Sequence, residues 1–167
     1  TLEFLVMSGM ELPLAVMITI PEPWANNRYI SEKKKDFYQY YATMMEPWDG
    51  PASILFSDGD LVGAVLDRNG LRPSRYMITD DDTLILSSEV GVLPIDPTKI
   101  KVKERLRPGK MLLVDTVQGR VIDDEEIKEK YASRQPYGEW LDNNLTELKS
   151  IHIPNQRVPE YTYEERQ

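Results

Sequence analysis

Two apolar runs joined by a tight turn are the feature that most constrains the fold. Residues Ala52–Ser57 and Leu61–Leu66 are rich in large or β-branched apolar side chains, and Asp58-Gly59 lies between them. Asp-Gly is favoured in the short turn that joins antiparallel strands, because glycine readily takes the positive φ that this turn needs. The segment therefore predicts a β-hairpin within an antiparallel sheet.

Further short runs with strand character follow the hairpin. They predict four more strands, at 76–79, 84–88, 111–114 and 120–122. The runs Ile54-Leu55-Phe56 and Met111-Leu112-Leu113-Val114 place apolar residues on both faces of a strand. A strand of this kind is expected in a sheet that other layers cover on both sides.

Helical spacing flanks the strand region on both sides. Before it, apolar residues recur at helical intervals from Leu2 to Ile20, and a second helix is predicted from an N-cap at Ser31 to Glu46-Pro47. After it, Asp123 is expected to cap a helix that runs to about Ser133, with Glu126 completing a capping box. Beyond Pro136 the chain reads as a linker, so periodicity predicts an α+β fold with an antiparallel sheet.

Composition excludes several classes of function. The formal net charge of −8 argues against a nucleic-acid partner, because it repels phosphate. No apolar run approaches the roughly 18 residues that a membrane span needs, so no membrane role is expected. The absence of cysteine excludes disulfides, thiolate metal sites, iron–sulfur ligation and a cysteine nucleophile within these 167 residues. Without a signal-peptide pattern, a cytoplasmic location is expected.

The second strand of the hairpin leads into a distinctive turn, Asp67-Arg68-Asn69-Gly70-Leu71-Arg72-Pro73. Asn-Gly supplies a tight turn, and Pro73 keeps Arg72 extended. Asp67, Arg68 and Arg72 suggest a substrate-binding site, because a guanidinium group can hold a carboxylate in a bidentate manner. The alternative, which turn chemistry favours, is a structural ion-pair cluster that fixes the turn.

This motif and its neighbours resemble the class II glutamine amidotransferase domain of the glutamate synthase large subunit. The resemblance lies in ordered segments that recur in that family, at 45–53 (MEPWDGPAS), 67–76 (DRNGLRPSRY) and 88–91 (SEVG). It extends over about 1–141, which would be the C-terminal part of the domain. Residues 142–167 would then be a linker or a tail that docks on the central domain.

The resemblance implies the αββα sandwich of the N-terminal-nucleophile hydrolases, present here in incomplete form. In that family the nucleophile is a cysteine at the mature N-terminus, and the glutamine-binding and oxyanion motifs lie upstream of the part that matches Thr1. No catalytic, cofactor-binding or metal-binding residue can therefore be assigned to this chain, which is expected to act as scaffold. The family-like residues to which we assign a structural role are Asp67, Arg68, Asn69, Gly70, Arg72, Pro73, Ser88 and Glu89.

For an intact protein the resemblance implies hydrolysis of glutamine to glutamate and ammonia, followed by reductive amination of 2-oxoglutarate. FMN and an iron–sulfur cluster would serve that second reaction, and neither is expected to bind this segment. The expected partners are the remainder of the amidotransferase domain and the central and FMN domains, and a homo-oligomer is possible.

Two alternatives stay open at this stage. One is a stand-alone, catalytically inactive domain of the same fold that binds a partner or ligand. The other is a class II enzyme of purine or asparagine synthesis, which the segments 45–51 and 74–76 disfavour.

Overall fold

A computed structural model describes residues 1–152 and 161–167. Pro154 and Pro159 of the predicted tail lie outside the described residues. The described helices are α1 (Leu2–Met7), α2 (Leu12–Thr19), α3 (Glu32–Ala42), α4 (Asp124–Ala132) and α5 (Tyr137–Asn144). The described strands are β1 (Ser53–Ser57), β2 (Leu61–Leu66), β3 (Arg75–Thr79), β4 (Leu84–Ser87), β5 (Ile100–Arg105), β6 (Met111–Asp115) and β7 (Arg120–Ile122).

The strands form two antiparallel sheets. The first sheet has the order β1-β2-β6-β7, and the second has the order β4-β3-β5. The predicted hairpin is confirmed, with a register that runs from Ser53 opposite Leu66 to Ser57 opposite Val62. Its turn centres on Gly59-Asp60, one residue later than predicted, because the N–H of Asp58 donates to the carbonyl of Leu61 at 3.2 Å.

Strand β5 was not predicted. Its sequence, IKVKER, has only Ile100 and Val102 as apolar residues, so it contains no apolar run. It lies at the edge of the second sheet beside β3, where one side of the strand has no neighbour and charged residues are common. A hydrogen bond from the N–H of Leu106 to the carbonyl of Ser74, at 3.0 Å, joins the residue after β5 to the residue before β3.

Helices and sheets stack in three layers. One face of the first sheet packs against the helices through Val65, Met111 and Leu113, which share a buried cluster with residues of α2, α3, α4 and α5. The opposite face packs against the second sheet through Ala64, Leu66 and Leu112. Strand β6 is therefore covered on both faces, as predicted. For β1 that prediction is wrong within the described residues, because Leu55 is 63% exposed.

Two helix boundaries depend on local hydrogen bonds. Ser31 caps α3 as predicted, since its hydroxyl accepts a bond from the N–H of Lys34 at 3.4 Å. The helix ends at Ala42, so the prediction that it continues to Glu46-Pro47 is wrong. Asp123 caps α4 by accepting from the N–H of Glu125 at 2.8 Å. Glu126 does not complete the predicted capping box, because its carboxylate pairs with Arg120 instead.

Helix α5 corrects the expectation of a linker directly after Pro136. Tyr137 and Leu141 are buried, and the Tyr137 ring lies 5.4 Å from that of Phe37 and 5.1 Å from that of Tyr40. The helix is short and its apolar residues are few, so its periodicity is weak in the sequence. Aromatic packing against α3 stabilises it.

Candidate functional site

Asp67 is the central residue of the family-like turn. It follows β2, and the residue is 3% exposed. Its carboxylate accepts hydrogen bonds from the N–H groups of Ala52 at 3.0 Å, Asn69 at 3.0 Å and Gly70 at 3.1 Å. The N–H of Asp67 also donates to the carbonyl of Ala52 at 3.1 Å. One side chain thus ties the start of β1 to the turn that follows β2.

The electrostatics of Asp67 follow from these bonds. Burial alone would raise the pKa of the carboxyl group, but bonds from the N–H groups of Ala52, Asn69, Gly70 and Leu71 stabilise its ionised form, and the pKa lies below its ordinary value. The carboxylate is therefore ionised at neutral pH. Because both of its oxygens already accept bonds from the backbone, it is poorly placed to act as a general base.

Gly70 holds the turn against a second segment of the chain. Its φ is +60°, in the left-handed region that glycine adopts readily. A Cβ at this position would lie 2.3 Å from Cγ of Pro108, so the turn and the segment before β6 approach closely. Asn69-Gly70 therefore forms part of the Asp67 turn.

The arginines of the motif face outward. The Nη2 atom of Arg68 lies 3.0 Å from Oδ1 of Asp49, and the two side chains are 52% and 83% exposed. Arg72 and Pro73 are exposed on the same connection. The exposed Arg68–Asp49 ion pair contributes little to stability, about 0 to 1 kcal/mol. Within the described residues, the hydrogen bonds that the Asp67 carboxylate accepts come from backbone N–H groups and not from either arginine.

Arg68 also borders a groove of about 430 Å³. Its walls include Trp24 and Trp48, and prolines at 21, 23 and 47 add further apolar surface. The groove could accommodate an apolar group or a carboxylate beside the arginine. Its lining contains no histidine, serine or cysteine.

Ser88 and Glu89 lie elsewhere in the fold. Both are exposed in the bend that follows β4, at the end of the second sheet. The hydroxyl of the neighbouring Ser87 donates to the carbonyl of Glu89 at 2.5 Å. Glu89 contributes to a separate hollow on the outer face of that sheet. The family-like residues therefore fall into two groups, one at the end of β2 and one at the end of β4.

A buried charge cluster was missed by the sequence reasoning. The Lys128 side chain is 4% exposed, and its ammonium lies 3.1 Å from Glu22 and 2.9 Å from Asp124. It also donates to the carbonyl of Gly109 at 2.6 Å. The spacing of Asp124 and Lys128 at i and i+4 on a helix was the one available sequence signal. The cluster joins α4 to the loop after α2 and to the turn before β6.

The same cluster continues toward the surface through Glu125. The ammonium of Lys34 pairs with its carboxylate, and Lys110 lies 3.1 Å away. These two cations, Lys34 foremost, lower the pKa of Glu125 to about 2. Lys110 also lies 2.9 Å from Asp124, whose other oxygen accepts the N–H of Met111 at 2.8 Å. The network is consistent with helix anchoring.

The described part of the chain contains neither a candidate metal cluster nor a candidate membrane-spanning helix. Across residues 1–152 and 161–167, no group of three or more His, Asp or Glu side chains is arranged to hold a metal ion. Within the same ranges, no helix has both the length and the apolar character to cross a membrane.

Comparison with known proteins places the chain in a family. Residues 1–140 match the family model described as glutamine amidotransferases class-II. The chain is 46% identical to the glutamate synthase [NADPH] large chain of Bacillus subtilis, over 99% of this chain and 12% of that protein. It is 52% identical to glutamate synthase [NADH] of Schizosaccharomyces pombe, over 90% of this chain and 7% of that protein. It is 49% identical to ferredoxin-dependent glutamate synthase 2, chloroplastic, of Arabidopsis thaliana, over 95% of this chain and 10% of that protein.

The chain thus spans only 7% to 12% of the length of these relatives. The match covers both the Asp67 turn and the segment around Ser88, and it confirms the resemblance inferred from the motifs. The two antiparallel sheets and their helical layer fit an incomplete αββα sandwich. On these grounds the chain belongs to the class II glutamine amidotransferases, and it forms part of their N-terminal-nucleophile hydrolase fold.

Proposed function

We propose that this chain is the C-terminal part of the amidotransferase domain of a glutamate synthase, and that it acts as scaffold for a glutaminase site completed by residues outside it. The observation that carries the proposal is the geometry at Asp67. In the most family-like motif of the chain, the one buried carboxylate is engaged by the N–H groups of Ala52, Asn69 and Gly70. Such a group supports a structure and does not perform acid–base chemistry.

The longer polypeptide would carry out two coupled reactions. Water cleaves the C–N bond of the glutamine side-chain amide, which yields glutamate and ammonia. Ammonia then condenses with 2-oxoglutarate, and two electrons and two protons reduce the product to a second glutamate. The names of the relatives specify NADPH, NADH or ferredoxin, so the donor varies among proteins of this type.

The cofactors of the second reaction would bind other domains. The 167 residues contain no cysteine and therefore do not fit an iron–sulfur cluster, which is held by thiolates in most proteins. The chain also lacks a glycine-rich phosphate-binding fingerprint of the kind that would suggest a nucleotide cofactor. We assign FMN and the cluster to the rest of the protein, and no step of the chemistry to this chain.

The proposed partners are accordingly parts of the same polypeptide. They are the remainder of the amidotransferase domain and the central and FMN domains, on which residues 142–167 would dock. Self-association of the parent protein and a cytoplasmic location complete the proposal.

Intact mass and N-terminal sequencing of the native product that contains residues 1–167 test this proposal. We expect a polypeptide several times longer, with an N-terminal cysteine and with glutamine hydrolysis that supports glutamate formation from 2-oxoglutarate. A native product near 19.3 kDa without glutaminase activity would overturn it. That result would favour the alternative of a stand-alone, catalytically inactive binding domain.

A further inference from the structure

The outer face of the second sheet carries a compact group of cations. Arg75 of β3 lies directly opposite Arg105 of β5, and Met77 lies directly opposite Lys103. Residues that face each other across an antiparallel pair project from the same side of the sheet. The three cations are exposed. We call Arg75, Lys103 and Arg105 the basic face.

None of the three cations of the basic face forms a salt bridge within the described residues, although Glu89 and Glu104 line the same hollow. In the ranges 1–152 and 161–167, none of its three cations lies within 4.0 Å of a carboxylate oxygen, although Lys101 of the same strand pairs with Asp82 at 3.1 Å. Glu104, on β5, accepts a bond from the hydroxyl of Tyr76 at 3.3 Å. Like charges placed directly opposite each other destabilise a sheet. An anionic neighbour would stabilise these clustered cations, which stand out in a chain whose net charge is −8.

The basic face surrounds an apolar floor. A hollow of about 220 Å³ is lined by the three cations together with Met77, Ser87, Glu89, Val90 and Glu104. Met77 is buried at its base, and the Val90 side chain at its rim is 57% exposed. Val92 and Leu93, which follow along the chain, are 53% and 52% exposed. Apolar surface rimmed by charge is typical of a protein–protein contact.

We propose that the basic face is the docking surface for an acidic amphipathic helix from the longer polypeptide. Facing residues of an antiparallel pair are about 4.5 to 5.5 Å apart. Carboxylates at i and i+4 on a helix project from Cβ atoms about 5 to 6 Å apart. One helical turn with two acidic residues therefore matches Arg75 and Arg105, while its apolar side chains cover Val90 and the floor. The inference rests on the proposed function, because it takes the helix from the rest of that polypeptide.

Photo-cross-linking in the full native polypeptide tests the inference. Val90 is replaced by p-benzoylphenylalanine, which leaves all three cations in place, and the captured peptide is identified by mass spectrometry. We expect capture of one segment of the same polypeptide that combines acidic residues at helical spacing with apolar residues. Arg105→Glu should lower the yield by about tenfold, since like charges that face each other across an interface are strongly unfavourable.

Arg105→Glu separates docking from simple stability of the sheet. It converts the facing Arg75–Arg105 pair into one of opposite charge, so hydrogen exchange of β3 and β5 should be no faster while capture falls. A second change of the captured acidic residue to lysine should restore the yield. Arg28→Glu changes the charge by the same amount at an exposed residue outside the second sheet and should leave capture unchanged.

Capture of a neutral or basic segment, of a second copy of the chain or of another protein would overturn the inference. So would the absence of a cross-link, or a yield that Arg105→Glu does not change. Intact mass and glutaminase activity, measured on the same preparation, report separately on the proposed function. A long, active polypeptide without acidic capture would refute the docking helix alone.

Discussion

Replacing Asp67 by asparagine tests the role of its carboxylate directly. The shape is retained, but one oxygen becomes an NH₂ group that cannot accept a hydrogen bond. In the native structure one carboxylate oxygen accepts from Ala52 and the other from Asn69 and Gly70. Either orientation of the amide therefore loses at least one hydrogen bond to a charged acceptor, which contributes about 1.5 to 3 kcal/mol. We expect the unfolding free energy to fall by about 2 kcal/mol or more.

The effect should depend on pH in one direction. The folded pKa of Asp67 lies below its ordinary value of 3.8, so ionisation stabilises the folded state above that value. This contribution is lost as the pH falls through the lower, folded pKa. The difference between the wild-type and Asp67→Asn proteins should therefore be full near pH 7 and should shrink below about pH 4.

Urea unfolding followed by circular dichroism, at fixed protein concentration, measures both effects. Asp60→Asn is the matched control, because it makes the same chemical change at an exposed turn residue of the same hairpin. We expect the control to change the unfolding free energy by less than about 0.5 kcal/mol. Equal losses for the two variants, or a loss at Asp67 that persists unchanged at low pH, would refute the assignment of Asp67 as an ionised structural anchor.

Three further substitutions probe the packing and the buried charges by the same unfolding assay. Gly63→Ala should lower stability by about 1 to 3 kcal/mol, because the new Cβ would lie 2.3 Å from the ring of Phe56; an unchanged midpoint would contradict this close contact. Lys128→Ala should lower the unfolding free energy by about 3 to 5 kcal/mol, because Glu22 and Asp124 lose their buried cation. The control Lys33→Ala, at a 66% exposed side chain, should lower it by less than about 1 kcal/mol. Similar losses for the two variants would argue against a buried pair. Ser74→Ala should be neutral or stabilising by up to about 1 kcal/mol, because within the described residues its buried hydroxyl has no hydrogen-bond partner; a clear loss of stability would reveal one.

The sequence predicted those elements whose local signals agree with their environment. The β1–β2 hairpin combined apolar runs with turn residues, and the Ser31 and Asp123 caps marked where helices begin. Strand β5 was not predicted because charged residues dominate its sequence, and its pairing with β3, which is distant in sequence, stabilises it. Helix α5 escaped because aromatic contacts with α3 hold it, and no local periodicity reports such contacts.

The family-like turn was predicted in part. Turn chemistry located Asn69-Gly70, but the sequence suggested ion pairs in the turn, whereas backbone N–H groups bind the Asp67 carboxylate and organise the turn. A carboxylate that accepts from a residue 15 positions earlier in the chain cannot be recognised from local spacing. The Glu22–Lys128 contact joins the loop after α2 to α4, and local spacing could not predict it either.

The hydrogen bond between Ser74 and Leu106 joins the two ends of residues 75–105, so the second sheet is an insertion whose ends are held together. Residues 75–105 leave and rejoin the first sheet at nearly the same point, and they hold all three strands of the second sheet. Such a segment can acquire its pairing as a local unit, since its ends are joined without the rest of the chain. Pulse-labelling hydrogen exchange during refolding should then show the amides of β3, β4 and β5 protected together, apart from those of β6. Because the ends of the insertion are joined, residues 75–105 could also be replaced by another segment during evolution while the first sheet keeps its register.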